Sequence, residues 1–456
     1  MLVFVFFIVN KSHATLSTTL VSVCRRARLA LAVTLVAQLV GVANAQRPPT
    51  PIQFWTMQLS PFHDAYIGSV IDAFEKLHPD IRVRWVDVPW SEMEKKTLTA
   101  VAAATPQRPA PDVVNLNPQF ASKLAEFGAL AEPERFLSAA EIASYLPAAW
   151  QANRLDGTTF ALPWYLTTSI VLYNKPLLIR AGVTVPTTYA ELLPAAKQIR
   201  AATGRYAYFP ALDGSTPLET LVSMGAPILS DDGCRAGFIN ARGENIFEFH
   251  RHLYQGGLVP KNVVTEGHRK AIEMFLSGQV AMVTTGMQFL QSIKNNNPGL
   301  YADVGVALQL GGEGAAPNIA AMNVAVLERS PNKQAAFKFA AFLTNAANQT
   351  AFAQRVPILP SSVASYNDKF FTSTTGDALL DEARALSIRQ VKTGVVLVPP
   401  MRKYSKFRSD YARNLQAVML GRKSVGDALA HTDATWAKLL QCSPRSGETS
   451  TMRSVK

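Results

Sequence analysis

The chain has 456 residues, 48% of them hydrophobic, and a formal net charge of +12 from 45 Lys and Arg against 33 Asp and Glu. This length exceeds what one hydrophobic core usually serves, so we expect two lobes. No basic run with interleaved aromatic residues stands out, so the surplus charge favours solubility and a bias against cationic ligands rather than nucleic-acid binding.

The first 45 residues have the pattern of an export signal. Arg25, Arg26 and Arg28 precede an apolar stretch at 29–42, and Ala43-Asn44-Ala45 is a small-x-small cleavage site. The stretch is shorter than the ~20 apolar residues of a spanning helix, and no later run reaches that length. We therefore expect a soluble protein, cleaved after Ala45 and exported to the periplasm, by either the general or the twin-arginine route. Cleavage removes four basic and no acidic residues, which leaves 41 against 33 and a net charge of +8.

Two cysteines remain after cleavage, because Cys24 lies in the removed segment. Cys234 and Cys442 permit one disulfide in an oxidising compartment. Their separation of 208 residues gives no geometric support for a bridge, so the sequence favours two unpaired thiols.

The segments after the signal alternate between strand and helix patterns. A Pro-rich lead-in at 47–51 precedes a predicted strand at 52–56, a helix at 65–77 and a strand at 81–86. A helix at 92–104, a strand at 112–116 and a helix at 121–127 follow. This alternation predicts a mainly parallel sheet flanked by helices, with a ligand at the carboxyl ends of the strands, here 56–60 and 116–119.

The segment 160–182 is the most informative of the chain. Pro163 favours a kinked backbone that presents Trp164 and Tyr165, and the hydroxyl of Thr167 comes just before an apolar strand at 170–173. An ordinary loop that enters a core strand fits the same residues.

The second half repeats the alternation of patterns. It predicts strands at 206–210, 280–284 and 323–327, and helices at 189–201, 269–277, 333–344, 347–353, 409–420 and 424–440. The polar tail at 443–456 is predicted to be disordered.

The order of these motifs over residues 52–440 resembles the sugar-binding group of the extracellular solute-binding proteins of ABC importers, the maltose-binding-protein-like family 1. The matching pieces are QFWTM at 53–57, AFEKLHPDIRVRWVDVPW at 73–90, PDVVNLNPQFASKLAEFGAL at 111–130, ALPWYLTTSIVLYNKPLLIRAGV at 161–183, AIEMFLSGQVAMVTTGMQF at 271–289 and SPNKQAAFKFAAFLTN at 330–345.

This resemblance implies an α/β, two-lobed periplasmic-binding-protein fold, each lobe a mainly parallel sheet flanked by helices, with the ligand in the interlobe cleft. By analogy lobe one comprises 46–168 and 325–392, and lobe two 169–324 and 393–442. The implied function is binding of a mono- or oligosaccharide by lobe closure and its delivery to a membrane permease and its ATPase. We expect a monomer that needs no cofactor or metal.

A sugar site needs aromatic faces and planar polar groups. Strand-end positions and the resemblance together indicate the following candidates: Trp55, Gln58, Asn117, Gln119, Trp164, Tyr165, Thr167, Asp213, Ser215, Gln288, Arg402 and Tyr404.

Each candidate also has a structural interpretation. Trp55 fits a core position equally well, and Asn117 fits an Asx turn before a helix. Asp213 and Ser215 fit a simple turn. Gln288 departs from the family, which often carries an aromatic residue there, and so favours hydrogen bonding over stacking. Arg402 fits an anionic group of the ligand or a surface carboxylate.

Two other functions are weighed against sugar binding. Binding of glycerol 3-phosphate or another phosphorylated polyol requires several cationic residues in the cleft, and only Arg402 is placed there. A secreted glycoside-acting enzyme needs two carboxylates about 5–10 Å apart, and only Asp213 is a candidate.

His250 and His252 lie two apart in a predicted helix and so do not face one metal, and no Cys-x-x-Cys, His-Glu-x-x-His or phosphate-loop motif is present. We therefore expect no enzyme.

Overall fold

The computed structural model describes residues 48–442, apart from 108, 214, 215 and 313. The predicted export signal at 1–45 and the predicted tail at 443–456 lie outside these residues. Within the described ranges no helix is both long and apolar enough to cross a membrane.

The strands of the described chain form two separate sheets and a short hairpin. In chain order they are β1 (Thr50–Met57), β2 (Ile81–Val88), β3 (Val113–Leu116), β4 (Arg154–Leu155), β5 (Thr158–Thr159), β6 (Leu162–Thr168), β7 (Ile170–Asn174), β8 (Met282–Thr285), β9 (Val304–Leu308), β10 (Ile319–Val326) and β11 (Leu359–Pro360). The first sheet has the order β11-β6-β10-β3-β1-β2 and the second the order β8-β7-β9, while β4 and β5 form the hairpin.

Helices connect these strands and pack against them. In chain order they are α1 (Asp64–Leu77), α2 (Trp90–Ala102), α3 (Pro118–Glu126), α4 (Ala139–Ala143), α5 (Pro147–Gln151), α6 (Lys175–Ala181), α7 (Tyr189–Thr203), α8 (Thr216–Ser223), α9 (Ala241–Gln255), α10 (His268–Leu276), α11 (Phe289–Asn296), α12 (Pro298–Asp303), α13 (Lys333–Leu343), α14 (Ala346–Ala353), α15 (Ala378–Thr393), α16 (Tyr404–Met419) and α17 (Val425–Leu440). The long helices α9, α16 and α17 pack together, and α15 lies against β9, β7 and β6.

The α/β class and the two-lobed arrangement are as predicted, but the pairing of the strands corrects the expectation of mainly parallel sheets. β1 runs parallel to β3, whereas β10 is antiparallel to β3 and β6, and β7 is antiparallel to β8 and β9. The chain re-enters the first sheet through β10 after a long excursion through the second sheet. It enters from the opposite end, so β10 opposes its neighbours.

The segment around Pro163 is a strand rather than the kinked loop that the sequence favours. Pro163 lies inside β6 opposite Asn323 of β10, and the register shifts between Met322 and Asn323. Proline has no N–H to donate to the ladder, and sheets accommodate it at such irregularities. The strand therefore continues past Pro163 to Thr168.

Two further predictions need correction. The strand predicted at 206–210 forms only an isolated bridge between Tyr206 and Val280. The helix predicted at 409–420 begins earlier, so Tyr404 lies in the first turn of α16 instead of before it.

Aromatic side chains form the centre of the core beside the first sheet. Trp164 stacks on Phe352 with 5.3 Å between ring centroids, and Phe54 meets Phe339 edge-on at 5.1 Å. Aromatic pairs of this kind add about 0.5–1.5 kcal/mol beyond the burial of their surface. The indole of Trp164 is fully buried by these neighbours.

A disulfide joins Cys234 to Cys442, with 5.6 Å between the Cα atoms. The bridge ties the residues that follow α17 to the loop before α9. The sequence-based preference for two unpaired thiols was wrong, because residues 208 apart in the chain are neighbours once α17 packs against α9.

The chain passes between the two sheets at three places. Ser169 separates β6 from β7, residues 309–318 connect β9 to β10, and residues 394–403 connect α15 to α16. The second and third connections lie side by side: Val395 donates its N–H to Pro317 O at 3.0 Å and accepts a hydrogen bond from Ile319 N at 3.0 Å.

Candidate functional site

Two adjoining cavities lie where the connections leave the sheets. The first has a volume of about 220 Å³ and is lined by the ends of β6 and β8 together with α8 and the start of α10. The second has a volume of about 470 Å³ and lies between residues that follow β3 and residues of α10 and α16. Both cavities are lined by Thr216 and His268, so they form one continuous cleft.

Hydroxyl groups line one wall of the first cavity. Thr168 lies at the end of β6 and Thr285 at the end of β8, and both side chains are buried. Neither Oγ1 atom has a hydrogen-bond partner among the described residues, and the same holds for Oε1 of Gln288. A buried polar atom without a partner costs about 1–3 kcal/mol. These three atoms are therefore suited to receive the polar groups of a ligand.

Two tyrosines lie on another side of the first cavity. The hydroxyl of Tyr208 donates to Thr284 Oγ1 at 3.4 Å. Burial raises the pKa of Tyr208 and of Tyr189 above that of an exposed tyrosine. Both phenols therefore stay neutral at physiological pH and present aromatic surface as well as hydroxyl groups to the cavity.

His268 is fixed at the boundary between the two cavities. Its backbone N–H donates to Asp213 Oδ1 at 2.9 Å, and its ring Nε2–H donates to Thr284 O at 3.3 Å. The ring also meets Phe289 edge-on at 5.7 Å. Because hydrogen bonds hold both its backbone and its ring, the imidazole of His268 forms a rigid part of the wall.

The second cavity brings residues of the two halves of the chain together. Asn117, Gln119 and Lys123 of the first half face Tyr404 of the second, and Asp213 lines the same cavity. Lys123 Nζ lies 2.5 Å from Glu94 Oε1, so these two charges neutralise each other. The hydroxyl of Tyr404 is buried without a partner in the described part of the chain. Burial, with a smaller effect from the charge of Glu219, raises the pKa of Tyr404.

Comparisons with known proteins agree with this architecture. The model of the bacterial extracellular solute-binding protein family matches residues 60–350. The chain belongs to this family. Proteins of this family bind solutes outside the cytoplasm of bacteria.

Individual relatives cover most of the chain. A crystal structure of a candidate oligosaccharide periplasmic-binding protein from Synechococcus sp. MITs9220, in complex with zinc, is 37% identical with a TM-score of 0.79, over 85% of this chain and 98% of that one. The GacH receptor of Streptomyces glaucescens, solved without ligand and with acarbose, is 23% identical with a TM-score of 0.70, over 86% and 99% of the two chains, and shows the fold alone. A candidate binding protein of Brucella abortus is 24% identical over 82% of this chain and 90% of its own length.

Six of the residues predicted from the sequence line the cleft of this solute-binding protein. Thr167 and Gln288 line the first cavity, and Asn117, Gln119, Asp213 and Tyr404 line the second. Asn117 also caps α3, because its Oδ1 accepts a hydrogen bond from Phe120 N at 2.8 Å. The turn suggested for Asn117 and its place in the cleft are thus compatible.

The structure places the other predicted residues elsewhere. Trp164 lies in the core, and Tyr165 is half-buried against Phe352. Trp55 is half-buried against the core around β3, where its Nε1–H donates to Gln53 Oε1 at 3.4 Å.

Two further candidates make contacts outside both cavities. Gln58 is exposed, and its Oε1 accepts from Trp90 N at 3.3 Å. Arg402 Nε lies 2.5 Å from Asp156 Oδ2, so it binds a surface carboxylate, the alternative left open above. Ser215 lies outside the described residues.

Several lining residues were not predicted. Tyr189 and Glu219 lie in helices that the sequence gives no reason to place beside β6 and β8, and Lys123 and Arg408 come from opposite halves of the chain. His268 directly precedes a predicted helix, and that position was the available signal for it. In the described ranges no group of three His, Cys, Asp or Glu residues could hold a metal ion.

Proposed function

We propose that this solute-binding protein binds a carbohydrate in the two adjoining cavities, closes its lobes around it and delivers it to the permease of an ABC importer. The observation that carries this proposal is the wall of buried polar atoms, Thr168 Oγ1, Thr285 Oγ1 and Gln288 Oε1, that find no partner among the described residues. The hydroxyls of a sugar both donate and accept, so they can pair with each of these atoms.

The remaining lining suits the same class of ligand. Tyr189, Tyr208 and Phe289 offer aromatic surface to the C–H faces of a sugar ring, beside amides and hydroxyls for its polar edge. The likeness to a candidate oligosaccharide periplasmic-binding protein at 37% identity supports this choice.

The charges of the cleft argue against a phosphorylated polyol. Among the described residues that line the two cavities, the carboxylates are Glu94, Asp213 and Glu219, and the Lys and Arg side chains are Lys123 and Arg408. A phosphate dianion would meet more negative than positive charge there. Arg402, the cation that the sequence offered for this role, is engaged by Asp156 instead.

Carboxylates in the cleft do not by themselves make a glycoside-acting enzyme. Asp213 accepts the backbone N–H of His268, and Glu94 is paired with Lys123. Two of the three described carboxylates of the cleft therefore have structural partners, which is consistent with membership in a family of binding proteins.

The finer organisation of the protein completes the proposal. The chain is exported to the periplasm, cleaved after Ala45 and acts as a monomer. Lobe one contains the first sheet and lobe two the second, with boundaries near 168 and 392. β10 pairs with the first sheet from Ile319 onward, which supports an edge of lobe one at 319 rather than at 325.

The test is a thermal-shift screen of mono- and oligosaccharides, polyols and their phosphates, because a ligand that binds only the folded state raises its melting temperature. We expect a neutral sugar to give the largest shift. A larger shift with a phosphorylated polyol would favour that alternative and contradict the proposal.

Isosteric variants then locate the site. Thr168→Val and Thr285→Val should each weaken binding of the sugar found in the screen by about 3- to 10-fold, the value of one hydrogen bond. Thr159→Val is the matched control, since Thr159 Oγ1 is equally buried and has no described partner but lies in the β4–β5 hairpin. Equal affinities for all three variants would remove this wall from the site.

A further inference from the structure

A chain of side-chain amides, two of them buried and one half-buried, runs through the three connections between the lobes. Gln390, in the last turn of α15, is only 3% exposed. Its Nε2–H donates to Ser169 O at 2.8 Å, and its Oε1 accepts from Gln309 N at 3.0 Å. One side chain therefore joins the first connection to the second.

Gln309 extends this chain in two directions. Its Oε1 accepts from Asn318 N at 2.9 Å, which closes the second connection upon itself. Its Nε2–H donates to Ser223 Oγ at 3.4 Å, and Ser223 lines the first cavity at the end of α8. Gln309 thus contacts the wall of the ligand cavity and the connection between the lobes at the same time.

Asn318 carries the chain to the third connection. Its Oδ1 accepts from Leu397 N at 3.2 Å. Gly394 lets this connection lie close to the others, because a Cβ at that position would come within 2.6 Å of both Gln390 O and Ile319 Cγ2. All three connections are in this way bonded to two glutamines and one asparagine.

The surroundings leave room for these amides to rearrange. A third cavity of about 360 Å³ borders Gln309 and Gln390, and Gln309 also lines the first cavity. Lobe closure changes the backbone angles of a few connecting residues. The hydrogen bonds of Gln390, Gln309 and Asn318 join these connections, so we expect them to change when the lobes move.

We propose that Gln309 and Gln390 form an amide relay that couples the wall of the ligand cavity to the three connections and so sets the balance between open and closed forms. Both are positioning residues that act through Ser169, Ser223 and Asn318. This role rests on the two-lobed fold and not on the identity of the ligand, so the test uses the ligand-free protein, and its failure would leave the carbohydrate proposal intact.

The test measures the distance between the lobes. Spin labels on Leu77→Cys in α1 and Ile179→Cys in α6, both well exposed, report that distance while the native disulfide stays intact. We expect Gln390→Met to shift or broaden the interspin distance distribution. We also expect amide hydrogen exchange at Gln309 to rise by roughly 3- to 10-fold, as follows from the loss of one hydrogen bond.

Gln349→Met is the matched control. Gln349 is 2% exposed and also bonds through both ends of its amide, to Thr344 O at 2.5 Å and from Ser361 N at 2.6 Å, but all of these residues belong to elements beside the first sheet. This variant should speed exchange at Ser361 and leave the interspin distance unchanged. An identical distance distribution in Gln390→Met and wild type would overturn the relay.

Two more variants test the proposal independently of Gln390→Met. Gln309→Met removes the bonds to Ser223 and Asn318, and it decides the matter if Gln390→Met does not fold. Ser223→Ala removes only the end of the relay in the cavity, and it should move the distance distribution in the same direction as Gln390→Met by a smaller amount. No change in Ser223→Ala, beside a clear change in Gln390→Met, would refute the coupling to the cavity.

Discussion

Asp213 caps helix α10 from a distant part of the chain, because its Oδ1 accepts the backbone N–H of His268 at 2.9 Å. The residue at the N-cap position, Gly267, has no side chain to do so. A methyl group at Gly267 would collide with the Asp213 carboxylate, so this glycine makes room for the cap. The carboxylate also lies near the positive end of the helix dipole. One contact thus fixes the rim of the second cavity and the position of His268.

This contact predicts a stability change. Asp213→Ala should lower the free energy of unfolding by about 1 kcal/mol through loss of the cap, and Asp213→Asn by less, since an asparagine oxygen still accepts the bond. Urea unfolding followed by circular dichroism measures both. Equal stability of Asp213→Ala and wild type would show that the cap is unimportant.

Trp164 should be a folding residue. Trp164→Ala should lower the free energy of unfolding by about 3–5 kcal/mol, because it leaves a cavity between Phe54 and Phe352. Trp90→Ala is the control, since Trp90 is 52% exposed and should change stability by no more than about 0.5 kcal/mol. A fully stable Trp164→Ala that had lost ligand binding would restore the stacking role that the sequence suggested.

Some of the predicted site residues line the cleft and others do not, and this difference has a physical explanation. Asn117, Gln119 and Gln288 follow β3 and β8, and residues beyond the carboxyl ends of strands are well placed to reach the cleft, although Gln58 after β1 does not. Trp164 lies inside β6, where successive side chains point to opposite faces. A kink at Pro163 would interrupt this alternation, so the sequence did not predict it. The shift in register that accommodates Pro163 occurs at Asn323, on a strand 160 residues away in the chain.

Other contacts could not be predicted from local sequence patterns. Lys123 and Arg408 meet across the second cavity only after the lobes are assembled. Cys234 and Cys442 meet only through the packing of α9, α16 and α17. Local patterns specify helices and strands, but these contacts depend on which helix packs on which.

Acid should destabilise the protein through His250. Burial lowers the pKa of His250, whose Nδ1–H donates to Ile246 O at 2.8 Å. In the unfolded chain His250 takes up a proton near pH 6.5. In the folded protein the same protonation requires a lower pH, because the pKa is lowered. Stability from this group is complete above about pH 6.5 and is lost as the pH falls, by up to about 1.4 kcal/mol for each pH unit.

Urea unfolding at pH 7.5, 6.5 and 5.5 measures this dependence. His250→Gln should be less stable than wild type at pH 7.5 but should lose less stability on acidification. His252→Gln is the control, because His252 lies on the same helix and is exposed. Wild type and His250→Gln with the same acid dependence would contradict the assignment.

Loss of the disulfide should weaken the assembly of α9, α16 and α17. The double variant Cys234→Ala and Cys442→Ala should lower the free energy of unfolding by about 2–4 kcal/mol, because the bridge restricts the unfolded chain. A reductant should reproduce this loss in wild type and have no effect on the double variant. Wild type that keeps its melting temperature under reducing conditions would contradict the prediction.

Tyr404 should contribute its hydroxyl to the ligand. The Oη atom of Tyr404 is buried beside the second cavity and has no partner within the described chain, so a bound sugar hydroxyl can satisfy it. Tyr404→Phe should weaken binding of the sugar found in the thermal-shift screen by about 3- to 10-fold without loss of stability, as measured by calorimetry. Tyr411→Phe is the matched control, because Tyr411 is fully buried, its hydroxyl also lacks a described partner, and it packs between Phe238 and Phe247 instead of lining the cleft. If both variants bind with the affinity of wild type, the phenol of Tyr404 does not touch the ligand, and the second cavity serves only as an entrance to the first.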